Sequence, residues 1–110
     1  EMIYMVNDNF FKSFKKNIIV INTARGKVLN TDDLVKNMKS GKVVGACLDV
    51  LEYESFNFQD FMNDNMPDAF NYLCKTDRVV LSPHIAGWTH ESKEKLSKIL
   101  TEKIIKTFAK

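Results

Sequence analysis

The chain has 110 residues, 45% of them hydrophobic and 27% charged, which is ordinary usage for a folded domain and argues against disorder. Sixteen Lys and Arg against fourteen Asp and Glu leave a net charge of +2, too small a footprint for nucleic acid. No apolar run, Ile18 to Ile21 included, approaches the ~20 residues that cross a membrane, so neither nucleic acid nor membrane is an expected partner.

The first predicted element is a helix from Asn7 to Lys16. Asn7 serves as N-cap, Asp8 suits the positive helix start and Lys15 and Lys16 the negative end, with Phe10, Phe11 and Phe14 on one face. Ile18 to Ile21 is a continuous β-branched run and reads as a strand buried on both faces. Thr31, followed by Asp32 and Asp33, reads as the N-cap of a second helix. Leu34, Val35 and Met38 form its apolar face, and Gly41 stops it. Val43 to Leu48 predicts a second buried strand. An excursion with Phe56, Phe58 and Phe61 follows, then a short helix opening near Pro67 with Phe70, Leu73 and Cys74 on one side. Val79 to Leu81 is a third apolar run. From Thr89 to about Phe108, Leu96, Ile99, Leu100, Ile104 and Phe108 recur at helical spacing, with lysines opposite, so the last element is a long amphipathic helix.

This alternation predicts an α/β fold with a parallel sheet covered by helices. Three strands are few for such a sheet, and the chain opens abruptly at Glu1 without an initiator Met. It is therefore expected to be a piece of a longer protein, with a sheet edge and helix faces that need partner chains or stay uncovered. Cys47 and Cys74 form no C-x-x-C pair and the two histidines lie only six apart, so no metal site is expected. Two reduced, buried thiols in a cytoplasmic protein fit that usage.

Ligands of open α/β sheets sit beyond the carboxyl ends of the strands. The first strand runs into Asn22-Thr23-Ala24-Arg25-Gly26, the second into Asp49 and then Glu52 and Glu54, the third into Ser82-Pro83-His84. A guanidinium, carboxylates and an imidazole thus converge on one side of the sheet. An arginine grips a carboxylate at two points, and a histidine beside a carboxylate is a proton donor near neutral pH. Singly, Arg25 is readable as a loop arginine, Glu52 and Glu54 as solvated charges and His84 as a histidine at a strand end. Their coincidence at consecutive strand ends favours a site for a carboxylate-bearing substrate whose neighbouring carbonyl or hydroxyl exchanges a proton.

"INTARGKVLNTDDLVKNMKSGKVVGACLDVLEYE" and "VVLSPHIAGWTHES" resemble the C-terminal half of the nucleotide-binding domain of the D-isomer-specific 2-hydroxyacid dehydrogenases, from about Met5 to Lys110. The resemblance implies the C-terminal half of a Rossmann-type parallel sheet over residues 1–110, with flanking helices and the long C-terminal helix. The Gly-rich half and the substrate domain would lie elsewhere. It implies that Arg25 orients the substrate, that His84 donates and accepts the proton, and that Glu54 is the carboxylate partner of His84. It further implies that Thr23, Ala24 and Arg25 line the nicotinamide side of an NAD site, that Asp49 holds the nicotinamide amide, and that His84, Ile85, Ala86 and Gly87 border the ring. NADP stays open, because the acidic residue that chooses between the two cofactors is not in this chain. The implied reaction interconverts a small 2-hydroxy acid and a 2-oxo acid by hydride transfer, with a homodimer as the full-length form. A non-catalytic NAD-sensing or scaffold member of the same superfamily is the alternative. Asn30 stands where the family usually has Asp, and the segment from Ser55 to Lys75 is longer and richer in Phe than its commonest version.

Overall fold

The computed structural model describes residues 2–53 and 65–108. The excursion phenylalanines Phe56, Phe58 and Phe61, and Glu54, lie outside them. In chain order the elements are α1 (Asp8–Lys12), β1 (Ile18–Asn22), a 3₁₀ turn (Gly26–Val28), α2 (Thr31–Lys39), β2 (Val43–Leu48), α3 (Asp68–Lys75), β3 (Val79–Leu81) and α4 (His90–Phe108). The three strands form one parallel sheet in the order β1-β2-β3, as the alternation predicts.

Local chemistry explains most boundaries. Asn7 caps α1 by accepting from the Phe10 amide at 3.1 Å. The helix ends at Lys12 rather than Lys16, because the Ser13 amide is shared between the carbonyls of Asn9 and Phe10 and its hydroxyl also turns back onto Phe10. The cap of α2 is Asn30, not Thr31: the Asn30 side chain accepts from the Asp33 amide at 3.1 Å, and Thr31 is the first helical residue. Gly41, at φ +88°, ends α2 in the left-handed conformation. The Thr89 hydroxyl caps α4 by accepting from the Ser92 amide at 3.0 Å.

The core gathers on one face of the sheet. Phe11 of α1, Leu34, Val35 and Met38 of α2, and Ala69 and Leu73 of α3 pack with Val43, Ala46 and Leu48 of β2. Each fully buried Leu, Met or Phe side chain contributes about 1.5–3 kcal/mol. Asp8 ties α1 to α2 by accepting from Asn37 at 2.8 Å and pairing with Lys12 at 2.5 Å and Lys36 at 3.3 Å. At the far end of α2 the Arg78 guanidinium donates to the Met38 carbonyl at 3.3 Å and to the Tyr72 hydroxyl at 3.0 Å.

Two expectations are corrected and a third is met. Burial of β1 on both faces is not found: Ile18 and Val20 pack on the core, while Ile19 and Ile21 are 64% and 70% exposed. Helices α1 to α3 collect over one face, and the pairing Ile21–Cys47–Val80 marks the other, where Val80 is also exposed. The thiols are likewise not both buried; Cys47 is half-buried on that open face and Cys74 is exposed. Finally, α4 forms as predicted but buries none of its residues, so its stripe of Leu96, Ile99, Leu100, Ile104 and Phe108 stays uncovered. The uncovered apolar surface expected of the chain is therefore present on both the sheet and α4.

Candidate active site

The register lines up the strand ends. Asn22, Leu48 and Leu81 are neighbours across the sheet, so the three chain exits leave from one edge. The Asp49 amide donates to the Asn22 carbonyl at 3.0 Å and the Ser82 amide to the Leu48 carbonyl at 3.1 Å, which carries the alignment one residue beyond the strands.

At the first exit Asn22 is buried and folds the turn around itself. Its side-chain oxygen accepts from the Ala24 amide at 3.1 Å, and its amide group donates to the Arg25 carbonyl at 3.1 Å. Thr23, Ala24 and Arg25 are presented outward on that turn, all exposed. The Arg25 guanidinium donates to the Ala24 carbonyl at 2.9 Å. Arg25 also lines a groove of about 290 Å³ with Met2, Ile3, Lys27 and Val28, and His84 is not among its walls. Gly26 is buried directly behind the arginine. A Cβ there would lie 2.1 Å from the Leu51 carbonyl oxygen, so only glycine lets the turn approach the β2 exit.

The second and third exits are joined by one residue. Asp49, 6% exposed, accepts from the Ser82 hydroxyl at 2.5 Å and the Ile85 amide at 2.9 Å through Oδ1, and from the Ala86 amide at 3.0 Å through Oδ2. Its carbonyl accepts from the His84 amide at 2.9 Å. The Ser82 hydroxyl first, then the Ala86 and Ile85 amides and the nearby His84, hold the Asp49 carboxyl below its ordinary range against the opposing effect of burial. His84 itself adopts φ 58°, the left-handed region that a residue with a Cβ avoids. This loop carries His84, Ile85, Ala86 and Gly87 outward, all of them exposed.

The structure thus brings Thr23, Ala24, Arg25, Asp49 and the 84–87 loop to one edge, whereas Glu54 lies outside the described residues. The scaffold residues Asn22, Ser82 and Glu52 were not singled out for their supporting roles. Glu52 turns away from solvent chemistry: it accepts from the Thr31 amide at 3.1 Å and from the Tyr4 hydroxyl at 2.6 Å, and so binds the N-terminal segment to the start of α2. Among the described residues no group of three or more His, Cys, Asp and Glu is placed to hold a metal ion. None of their helices is long and apolar enough to cross a membrane.

Comparison with known proteins bears on the family and the fold. Glyoxylate reductase of Thermococcus litoralis is 36% identical over 110 residues, covering 100% of the chain and 29% of that protein. The solved structure of a D-2-hydroxyisocaproate dehydrogenase superposes with a TM-score of 0.74 at 28% identity, over 98% of this chain and 34% of that one. D-lactate dehydrogenase of Aquifex aeolicus, solved in complex with NAD and lactic acid, gives a TM-score of 0.69 at 33% identity, over 98% and 33%. The chain therefore spans about a third or less of the length of these relatives. Residues 1–86 match the profile of the D-isomer specific 2-hydroxyacid dehydrogenase NAD binding domain. By this match and by its identity to these relatives, the chain belongs to the D-isomer specific 2-hydroxyacid dehydrogenase family.

Proposed function

We propose that the protein containing this chain is an NAD-dependent oxidoreductase that interconverts a small 2-hydroxy acid and the matching 2-oxo acid. The observation that carries this reading is the shared sheet edge, where one buried carboxylate, Asp49, binds the loop that presents His84 and lies between it and the exit that presents Arg25. Room for a flat ring at this edge supports the cofactor assignment. Ala24 and Ala86 are small and exposed, and a Cβ on Gly87 would meet nothing within 4 Å.

When bound, NADH supplies the hydride for the substrate's carbonyl carbon. His84 gives the proton to the carbonyl oxygen and takes it back in the reverse direction. Arg25 grips the substrate carboxylate at two points and polarises the carbonyl. Glu54 is assigned as the partner that fixes the tautomer of His84. Thr23, Ala24 and Arg25 line one side of the nicotinamide, with His84, Ile85, Ala86 and Gly87 on its border. Asp49 is assigned to the nicotinamide amide. Oδ1 already accepts two donors, so Oδ2, with one, is the atom available for that contact. The chain contains no G-x-G-x-x-G turn to cradle the pyrophosphate, so that turn and the substrate domain belong to the rest of the protein, which we expect to be a cytoplasmic homodimer.

The test is NADH and NADPH oxidation by the intact protein with a panel of 2-oxo acids. Turnover that falls roughly 10²–10⁴-fold in His84→Ala supports the reading, because that is the usual worth of a positioned acid. Normal turnover in His84→Ala, or binding of NAD without reduction of any 2-oxo acid, refutes it. The second outcome would favour a cofactor-sensing role.

A further inference from the structure

We propose that Ser82 is a positioning residue for His84, acting through the carboxylate of Asp49. The inference rests on the proton-transfer role proposed for His84. It begins from a backbone problem: His84 occupies the left-handed region at φ 58°, which is unfavourable for any residue carrying a Cβ. Such a conformation persists only where its surroundings impose it. Here the Asp49 carbonyl takes the His84 amide at 2.9 Å, and the two carboxylate oxygens take the next two amides, Ile85 at 2.9 Å and Ala86 at 3.0 Å. Three successive amides are thus bound by one buried residue of the neighbouring strand exit.

The carboxylate can do this only if it is itself fixed. Asp49 has two rotatable side-chain torsions, and its oxygens must face the loop together. The Ser82 hydroxyl donates to Oδ1 at 2.5 Å, in the short range of charge-assisted bonds, and it does so from the last position before Pro83. An ionised carboxylate only accepts, so the proton lies on Ser82 and the bond has one polarity. Ser82 is tied in turn by its amide to the Leu48 carbonyl at 3.1 Å. The sheet therefore fixes Ser82, Ser82 fixes the Asp49 carboxylate, and the carboxylate fixes the two amides that follow the imidazole. Ser82 has no place in the reaction itself.

The test uses the intact protein with Ser82→Ala, Ser82→Cys and Ser82→Thr. Displacement of a reacting group by about 1 Å costs on the order of 10²-fold in rate. We therefore expect Ser82→Ala to lower kcat for 2-oxo acid reduction by roughly 10- to 100-fold while the KM for the oxo acid stays within about threefold. Ser82→Cys, which keeps the volume with only a weak donor, should follow it. Ser82→Thr, which keeps the hydroxyl, should restore kcat. In the cofactor-free protein the Ile85 and Ala86 amides should exchange with solvent faster in Ser82→Ala and at the parental rate in Ser82→Thr. Parental kcat in Ser82→Ala or Ser82→Cys, a loss confined to KM, or failure of Ser82→Thr to rescue would overturn the assignment. Unchanged amide exchange in Ser82→Ala would overturn the clasp itself. A parent that reduces no 2-oxo acid would instead overturn the proposed activity, and with it the role of His84 that Ser82 is said to serve.

Discussion

Gly26→Ala should be among the most damaging small substitutions in this chain. The new methyl carbon would lie 2.1 Å from the Leu51 oxygen, 2.2 Å from the Leu51 carbon and 2.5 Å from the Glu52 nitrogen, all backbone atoms. Moving the closest of them out to the 3.4 Å of ordinary contact needs a shift of about 1.3 Å. Neither side can yield freely. The Glu52 side chain is bonded to Thr31 and Tyr4, and the turn holding Gly26 is bonded to the buried Asn22. Overpacking typically costs about 1–3 kcal/mol, and clashes between two fixed backbones belong at or above the upper end of that range. We expect at least about 3 kcal/mol of lost stability, read from the denaturant midpoint of the intact protein. Gly87→Ala is the matched control: its Cβ meets nothing within 4 Å, and its effect should stay within about 0.5 kcal/mol. If Gly26→Ala were as mild as Gly87→Ala, the close approach behind Arg25 would not exist and the reasoning would fail.

Three further outcomes follow from the same contacts. Removing the α2 cap with Asn30→Ala should cost about 1 kcal/mol by thermal or chemical denaturation, whereas Asn30→Asp should be nearly neutral. Asp8 is held down to about 2, chiefly by the Lys12 hydrogen bond and then by Asn37. Its folded-state value is depressed, so its contribution is present above about pH 4 and is lost as the pH falls towards 2. Asp8→Asn should flatten stability against pH in that window, and an unchanged acid limb would contradict the assignment. Arg25→Lys should lower kcat/KM for 2-oxo acids by at least about tenfold in steady-state assays, because an ammonium cannot reproduce a planar two-point grip.

The parts of this fold that depend on local chemistry were legible in the sequence. The uncharged apolar runs marked all three strands, and Asn7, Gly41 and the spacing of Leu96 to Phe108 marked helix ends or faces. The α2 cap was misplaced by one residue because Asn30 and Thr31 are adjacent and both suit the role; the choice falls to whichever side chain meets the third amide beyond it. The burial of β1 was misread for a non-local reason. A run of Ile and Val records that a face is apolar, but not whether anything covers it. Arg25 and His84 were found because their motifs follow strands at fixed spacing. The Asp49 clasp was not, since its donors lie 33 to 37 residues away and two of them are backbone amides with no sequence signature. Asn22 left a fainter trace, an asparagine closing a strand before a tight turn.

The 19-residue helix α4 has no buried side chain, so it stands apart from the cooperative unit built on Phe11, Leu34 and Leu48. A helix of that length supported only by its own hydrogen bonds is marginal in water, and its amides open without waiting for the sheet to unfold. In hydrogen exchange, α4 of this chain alone should lose protection orders of magnitude sooner than α2. Any surface that covers Leu96, Ile99, Leu100, Ile104 and Phe108 would couple the two elements and raise the protection of α4 towards that of the core. The exchange rate of this one helix is thus a built-in gauge of assembly, readable without any enzymatic assay.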